Sequence, residues 1–375
     1  MVVLLTGVTG VLGSEIGLAL ADKEEVFFLV RKESLNKVPE GMDLNNTIIG
    51  DITLPMCGIS SLDMAKLKKA GVTKLLHLAA DVSFTPVDKE GKIRLTNFIG
   101  TKNILDVALE LDISEIHNCG TVYASTRRNP YEVSKDDAEK MVVEFCQKYG
   151  KRFSIYKPSA MVGDYTTGIS YGFNGFVGAS TIFHSIAQGI REKEGGFIVN
   201  LSIFFVCSTN STMNLIPVDW VSEMFIKLYQ RGAKNEVYNL AHNHPPLARW
   251  VIEEGFKNLG IIGIHYVETP LTSEQKAELY SNDRKMLRYQ KWVDGVLEQF
   301  HPYCLEERQF PLETTAKALG DEFKEPPAIT PEFIRRLFQH AMKVNFEAQK
   351  VQRSSAKTMA ISPRHDSLLP VAVGA

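Results

Sequence analysis

Over the first 160 residues, short apolar runs alternate with stretches whose apolar residues recur at helical spacing. The runs at 2–5, 26–30, 48–52, 74–78, 115–119 and 153–157 have the length and β-branched content of buried strands. Between them, 14–21, 62–70, 93–110 and 131–149 read as helices. In the last, Ala138, Met141, Val142 and Phe145 share one face. Strand and helix in alternation predict an α/β fold, a doubly wound parallel sheet over residues 1–160.

The pattern then loosens, and a smaller C-terminal subdomain is predicted over 161–350, with 214–242 returning to the core. Residues 163–178 hold many glycines and aromatics, a loop suited to lining an apolar cleft, and a helix follows to about residue 193. The β-prone run 197–207 is expected to meet 214–219 across a Ser/Thr/Asn-rich turn. Residues 221–229 read as helix and 237–240 as one more strand. From Trp250 onward the reading is mostly helix, broken at Pro326-Pro327. A last helix starts at Pro331, with Phe333, Leu337, Ala341, Val344 and Ala348 on one face. The polar tail, 351–375, is predicted to be disordered.

Composition adds mainly exclusions. Apolar content of 44%, charged content of 23% and a net charge of −2 fit a soluble globular chain. They give no electrostatic reason to expect nucleic acid or an anionic membrane. No run approaches the length of a transmembrane segment. The chain opens in a strand without the basic and apolar regions of a signal peptide, and its five scattered cysteines suit reduced thiols. The expected location is therefore cytoplasmic. His77, His117 and His184 lie scattered on apolar elements, so no metal site is expected.

Chemistry enters at the end of the first strand, in Thr6-Gly7-Val8-Thr9-Gly10-Val11-Leu12-Gly13. Strand, glycine turn and helix in that order form a dinucleotide-binding fingerprint of the Rossmann type. Gly7 allows the tight turn, Gly10 lets the backbone approach a pyrophosphate, and Gly13 lets the helix pack close to the strand. The second strand ends in Arg31-Lys32 with no carboxylate, which favours the 2′-phosphate of NADPH over a free ribose hydroxyl. Asp51 and Ile52 end the third strand within reach of the adenine. Ala79, Ala80 and Asp81 follow the fourth strand, where backbone must lie close to the cofactor.

Tyr131 and Lys135 lie four apart, on one face of a helix. A phenol titrates near 10 and is a weak acid at neutral pH, but a neighbouring ammonium is expected to lower that value. Thr121, just past the fifth strand, adds a hydroxyl able to hold the same reacting oxygen. Cys119 stands beside it without an activating base and reads as a small core residue.

With these residues the chain resembles the extended short-chain dehydrogenases/reductases: Thr-Gly-x-x-Gly-x-x-Gly at 6–13 and Tyr-x-x-x-Lys at Tyr131 and Lys135. Within them it is most similar to thioester reductases and the male-sterility group of fatty acyl-CoA reductases. That similarity rests on Gly50-Asp51-Ile52-Thr53, His77-Leu78-Ala79-Ala80-Asp81-Val82-Ser83-Phe84, Asn97-x-x-Gly100-Thr101-x-Asn103, Asn129-Pro130-Tyr131-Glu132-x-Ser134-Lys135, Pro158-Ser159-x-x-Val162-Gly163-Asp164 and Asn214-Leu215-Ile216-Pro217-Val218-Asp219. It covers roughly the first 240 residues, and the Pro302-Tyr303 and Phe310 region is faintly similar to the C-terminal part of some acyl reductases.

The resemblance implies Tyr131 as acid, Lys135 as its partner and ribose contact, Thr121 as carbonyl-binding hydroxyl and Asn97 as a proton-relay member. It also places Pro158 and Ser159 beside the cofactor and makes the C-terminal part a substrate-binding subdomain. The stretch from Thr121 to Tyr131 is short for extended members, so either the loop is trimmed or Ser125 supplies the hydroxyl. Thr121 is the better placed, at the strand end. The implied activity is NADPH-dependent reduction of an acyl thioester, on coenzyme A or acyl carrier protein, to aldehyde or further to alcohol. Arg127 and Arg128, before Tyr131, are expected to meet a phosphopantetheine arm. A sugar-nucleotide epimerase or hydroxysteroid-type dehydrogenase would share the same core. A non-catalytic NADP-sensing protein would not need Tyr131 and Lys135.

Overall fold

The computed structural model describes residues 1–173 and 175–346; Ala348 and the tail 351–375 lie outside them. Seven strands form one parallel sheet: β1 (Val2–Thr6), β2 (Glu25–Val30), β3 (Thr47–Ile49), β4 (Lys74–His77), β5 (Glu115–Cys119), β6 (Arg152–Pro158) and the strand Glu236–Leu240. From one edge to the other the order is Glu236–Leu240, β6, β5, β4, β1, β2, β3. Val3, Leu4 and Leu5 are all fully buried, which explains why the strands read as unbroken apolar runs: both faces of the sheet are covered. One face carries α1 (Val11–Ala21) and the helix Val218–Gln230, with Ile16, Leu20, Phe225 and Tyr229 in the core. The other carries α2 (Ser61–Ala70) and the helices Gly100–Glu110 and Pro130–Tyr149, with Leu67, Ile104 and Val142. Strand order reverses between β1 and β4, the crevice where this topology binds nucleotides.

A second apolar core lies among the helices Thr181–Glu194, Ala248–Asn258, Arg284–Leu297 and Pro331–Lys343. They pack on a two-stranded parallel ribbon, Val199–Val206 beside Ile261–Val267. Here two expectations fail. The run 197–207 does not meet 214–219; instead Leu215–Pro217 pairs in parallel with Ala160–Val162. The reason is burial. Val199, Leu201, Ile203 and Phe205 alternate onto one core, whereas Leu215, Ile216 and Pro217 are buried on every side. Ile261–Val267 is also a strand where helix was expected. Its apolar run is interrupted by Gly263, which sits at φ +84° where the pairing register shifts. Phe333, Leu337 and Ala341 are buried, and Val344 caps the last helix.

Candidate active site

The glycine turn can be tested atom by atom. Gly7 has φ +83°, and a Cβ there would lie 2.6 Å from the Ala79 amide nitrogen. A Cβ at Gly13 would lie 2.0 Å from the Gly7 carbonyl oxygen, so close helix–strand packing requires glycine there. No side chain caps α1 at Gly10, leaving its first-turn N–H groups for an anion. In front of that turn opens a cleft of about 1220 Å³, lined by Thr6, Gly7, Thr9 and Gly10, by Arg31, by Asp51 and Ile52, and by Ala79, Ala80 and Asp81. These features fit a dinucleotide. Val11 and Gly13 belong to the first helical turn, while Leu12 is buried in the core. Thr53 and Ser83 of the motifs line the cleft as well, and Ser34 and Thr96, which the sequence did not single out, also line it. Lys32 instead begins a short helical turn and is not among the cleft's lining residues. Asp51 lies beyond the end of β3, and its carboxylate accepts from the Thr53 amide and hydroxyl at 2.8 Å.

A buried polar chain runs beneath this floor. The Thr101 hydroxyl donates to the Asn97 carbonyl at 2.6 Å, so it accepts from His77 Nε2 at 3.0 Å. His77 Nδ1 then accepts the Thr6 hydroxyl at 2.8 Å, and Thr6 Oγ1 accepts from the Ala79 amide at 3.3 Å. Burial, assisted by Lys135, holds His77 down at about 3, neutral as this chain of donors requires. Asn97 sits in a π-turn, Leu95–Ile99. Its amide donates to the Asp81 carbonyl at 2.9 Å and to Ser134 Oγ at 3.0 Å, and accepts from the Asp81 amide at 2.7 Å. With both hydrogens committed, Asn97 ties the Asp81 loop to the Tyr131 helix.

Asn129 caps that helix by accepting from the Glu132 amide at 2.9 Å, and Pro130 occupies its first turn. Tyr131 and Lys135 therefore lie one turn apart on that helix, both buried, with Thr121 close enough to the Tyr131 phenol to favour its charged form. Thr121 Oγ1 also donates to the Pro158 carbonyl at 3.3 Å. Ser159, next in the chain, is buried with its hydroxyl unpartnered. The electrostatics differ from expectation. Burial pushes the Tyr131 phenol above its ordinary value, while Lys135 Nζ donates to the Cys119 carbonyl at 2.5 Å. Lys135 itself is lowered by burial, and the Cys119 thiol is raised by it. Tyr131 is thus held protonated, the form a proton donor needs.

Over Tyr131 lies an aromatic roof of which the motifs gave little sign. The Phe84 ring is 5.2 Å from the Tyr131 ring, 5.8 Å from Phe300 and 5.6 Å from Tyr303. Tyr123 meets Tyr303 and Phe310 edge-on at 5.4 and 5.3 Å. The C-terminal segment thus covers the short 121–131 loop, and the spacing of aromatics over 300–310 was the available signal. Arg127 and Arg128 do not stand free for a phosphopantetheine arm. Arg127 pairs with Asp136 and Asp137. Arg128 pairs with Glu132 and Glu306 and stacks 4.1 Å over Tyr303.

Behind the roof is a pocket open to solvent, its walls including Phe84, Phe176, Phe205, Met213, Leu297 and Phe300. Several of its polar lining groups are already engaged. Asn214 is bonded both ways to the His242 backbone, Thr212 Oγ1 to the Arg308 backbone, and Arg308 to Glu306. Among the described residues no three histidines, cysteines or carboxylates gather to hold a metal, and no helix is long and apolar enough to cross a membrane.

The model of the NAD dependent epimerase/dehydratase family matches residues 3–241. Among solved structures, the terminal R domain from the myxalamid PKS-NRPS biosynthetic pathway has a TM-score of 0.68 at 21% identity, covering 93% of this chain and 92% of that one. A thiolation-reductase di-domain from an archaeal non-ribosomal peptide synthetase gives 0.63 at 18% identity, covering 92% of this chain and 76% of the other. UDP-glucose 4-epimerase from the hyperthermophile Thermotoga maritima, solved with UDP-glucose, gives 0.59 at 15% identity, with 92% and 99% covered. At these identities the likeness is one of fold. No curated protein sequence matches the chain.

Proposed function

The chain belongs to the NAD dependent epimerase/dehydratase family, and from that premise we propose that it is an NADPH-dependent reductase of acyl thioesters. It is an NAD(P)-dependent oxidoreductase of the extended short-chain type. Bound in the cleft lined by Gly7, Gly10, Arg31 and Asp51, NADPH would supply the hydride for the thioester carbonyl carbon. Thr121 and Tyr131 hold the carbonyl oxygen, and Tyr131 delivers the proton to it. The resulting hemithioacetal breaks its C–S bond to leave aldehyde and free thiol. The thioester would arrive on coenzyme A or on a carrier protein, in the cytoplasm.

One observation supports the substrate class: the pocket behind Tyr131 is mostly apolar, and Asn214, Thr212 and Arg308 in its wall are already bonded within the protein. A sugar diphosphate needs free cations and amides, and residues 163–187 contain no arginine or lysine. An acyl chain needs only apolar wall, worth about 0.8 kcal/mol per buried methylene. The test follows NADPH absorbance with acyl-CoAs of increasing length, UDP-glucose and a hydroxysteroid. Acyl-CoA turnover that rises with chain length is expected. Turnover of UDP-glucose alone would assign the site to epimerisation chemistry.

A further inference from the structure

A second, smaller pocket adjoins the proposed acyl site in the same lobe, lined also by Phe183, Ile252 and Phe256. It shares a wall with the cavity behind Tyr131: Phe176, Ala179, Phe205 and Leu297 line both. The members of that wall are not held alike. Phe205 is ringed by Phe183, Phe256 and Tyr266 at 6.1–6.3 Å and is buried in a strand. Leu297 is buried at the end of its helix. Phe176 is only partly buried and meets one ring, Phe338, at 5.9 Å, edge-on. Opposite Phe176 stands Gly255, where a Cβ would lie 2.9 Å from the Phe176 ring and equally close to Phe338. The ring occupies space that any side chain at 255 would take.

We propose that Phe176, seated against the bare backbone of Gly255, is the stop that sets the longest linear acyl chain the site accepts. The inference rests on the acyl-thioester reading and adds a specificity-determining residue to it. A chain entering past Phe84 gains apolar contact until its end meets the shared wall. Beyond that length each methylene must displace Phe176 or remain in water. The packed interior does not yield freely, so the limit is a step rather than a slope. Removing the Phe176 ring joins the two cavities, and adding bulk at Ala179 shortens the first.

The test separates chain binding from thioester chemistry. Straight-chain alcohols of increasing length are titrated into the NADPH-loaded enzyme, and the same lengths are assayed as acyl-CoAs. In the unmodified protein, alcohol affinity should rise about fourfold per methylene and then stop. Phe176→Ala should move the stop to longer chains, and Ala179→Leu to shorter ones, in both series. Gly255→Ala should act like Ala179→Leu by pressing the ring inward. If Phe176→Ala is poorly folded, the Ala179→Leu shift decides. Unmoved stops in variants that melt normally would overturn the proposal. If the alcohol series shifts as described while no acyl-CoA is turned over, the stop stands and the thioester reading falls.

Discussion

The phenol of Tyr303 donates to the carboxylate of Glu132 across 171 residues of sequence, beside Tyr131. Glu132 is fully buried and also accepts from the Thr126 hydroxyl at 2.6 Å and the Arg128 amide at 2.7 Å. Asn129 donates to the same phenol at 2.8 Å. The C-terminal segment is thereby clasped to the helix that carries Tyr131 and Lys135, and the roof over the site is fixed to its floor.

Removing that hydroxyl leaves a buried carboxylate short of a donor. Tyr303→Phe should therefore cost about 1.5–3 kcal/mol of stability, the range for a hydrogen bond to a charged group. Glu132→Gln should cost a similar amount, and the double variant less than the sum by about 0.5 kcal/mol or more. Guanidinium unfolding of the four proteins reads this directly. Simple additivity would mean that the two side chains do not act as one clasp.

Tyr131 and Lys135 should separate kinetically. Tyr131→Phe keeps the ring packed on Phe84 and removes only the hydroxyl, so NADPH affinity persists while turnover falls about 10²-fold or more. Lys135→Ala should weaken cofactor binding as well. Near-normal turnover in Tyr131→Phe would place the acid elsewhere.

Arg31 borders the cofactor cleft, largely exposed, with one loose ion pair to Glu33 at 3.7 Å. It is therefore available to a 2′-phosphate. NADPH should bind more tightly than NADH, and Arg31→Ala should narrow the difference by about 1–3 kcal/mol. Lys32→Ala should leave it nearly unchanged. Calorimetric titration of both cofactors decides, and equal affinities in the unmodified protein would remove the preference.

The local parts of this architecture were legible because they are written in adjacent residues. Gly7 and Gly13 record backbone approaches that no other residue permits, and the four-residue step from Tyr131 to Lys135 fixes a shared helix face. What escaped depends on distant partners. Glu132 stands in the sequence only as a motif residue, and its role appears once Tyr303 meets it; Arg127 and Arg128, expected to meet a phosphopantetheine arm, are taken by Asp136, Asp137 and Glu306. The lowered phenol expected at Tyr131 failed for a related reason: burial, which sequence does not print, raises it, and Cys119 and Glu132 add to the rise.

One carboxylate runs against the rule that buried charge is paired. Glu15, on α1, is buried with Oε2 unpartnered, and it faces Asp164 and Asp219. Desolvation first, and then those two carboxylates, raise it to about 7; burial and Asp164 raise Asp219 to about 6. Asp164 is held by the Thr167 amide and hydroxyl at 2.7 Å, and Asp219 accepts from the Tyr165 amide at 3.0 Å. Glu15 therefore carries the strain of the group. Its folded value lies above the unfolded one, near 4.3, so the native state binds the extra proton between these limits. The stabilisation is complete below the unfolded value and is lost as pH rises through about 7. Glu15→Gln keeps the shape and removes the charge. It should raise stability by about 1–3 kcal/mol at pH 8 and change little near pH 4.5. Thermal melts of both proteins at the two pH values measure the difference. An equal gap at both would show that Glu15 is charged and accommodated throughout, with its missing partner supplied by water.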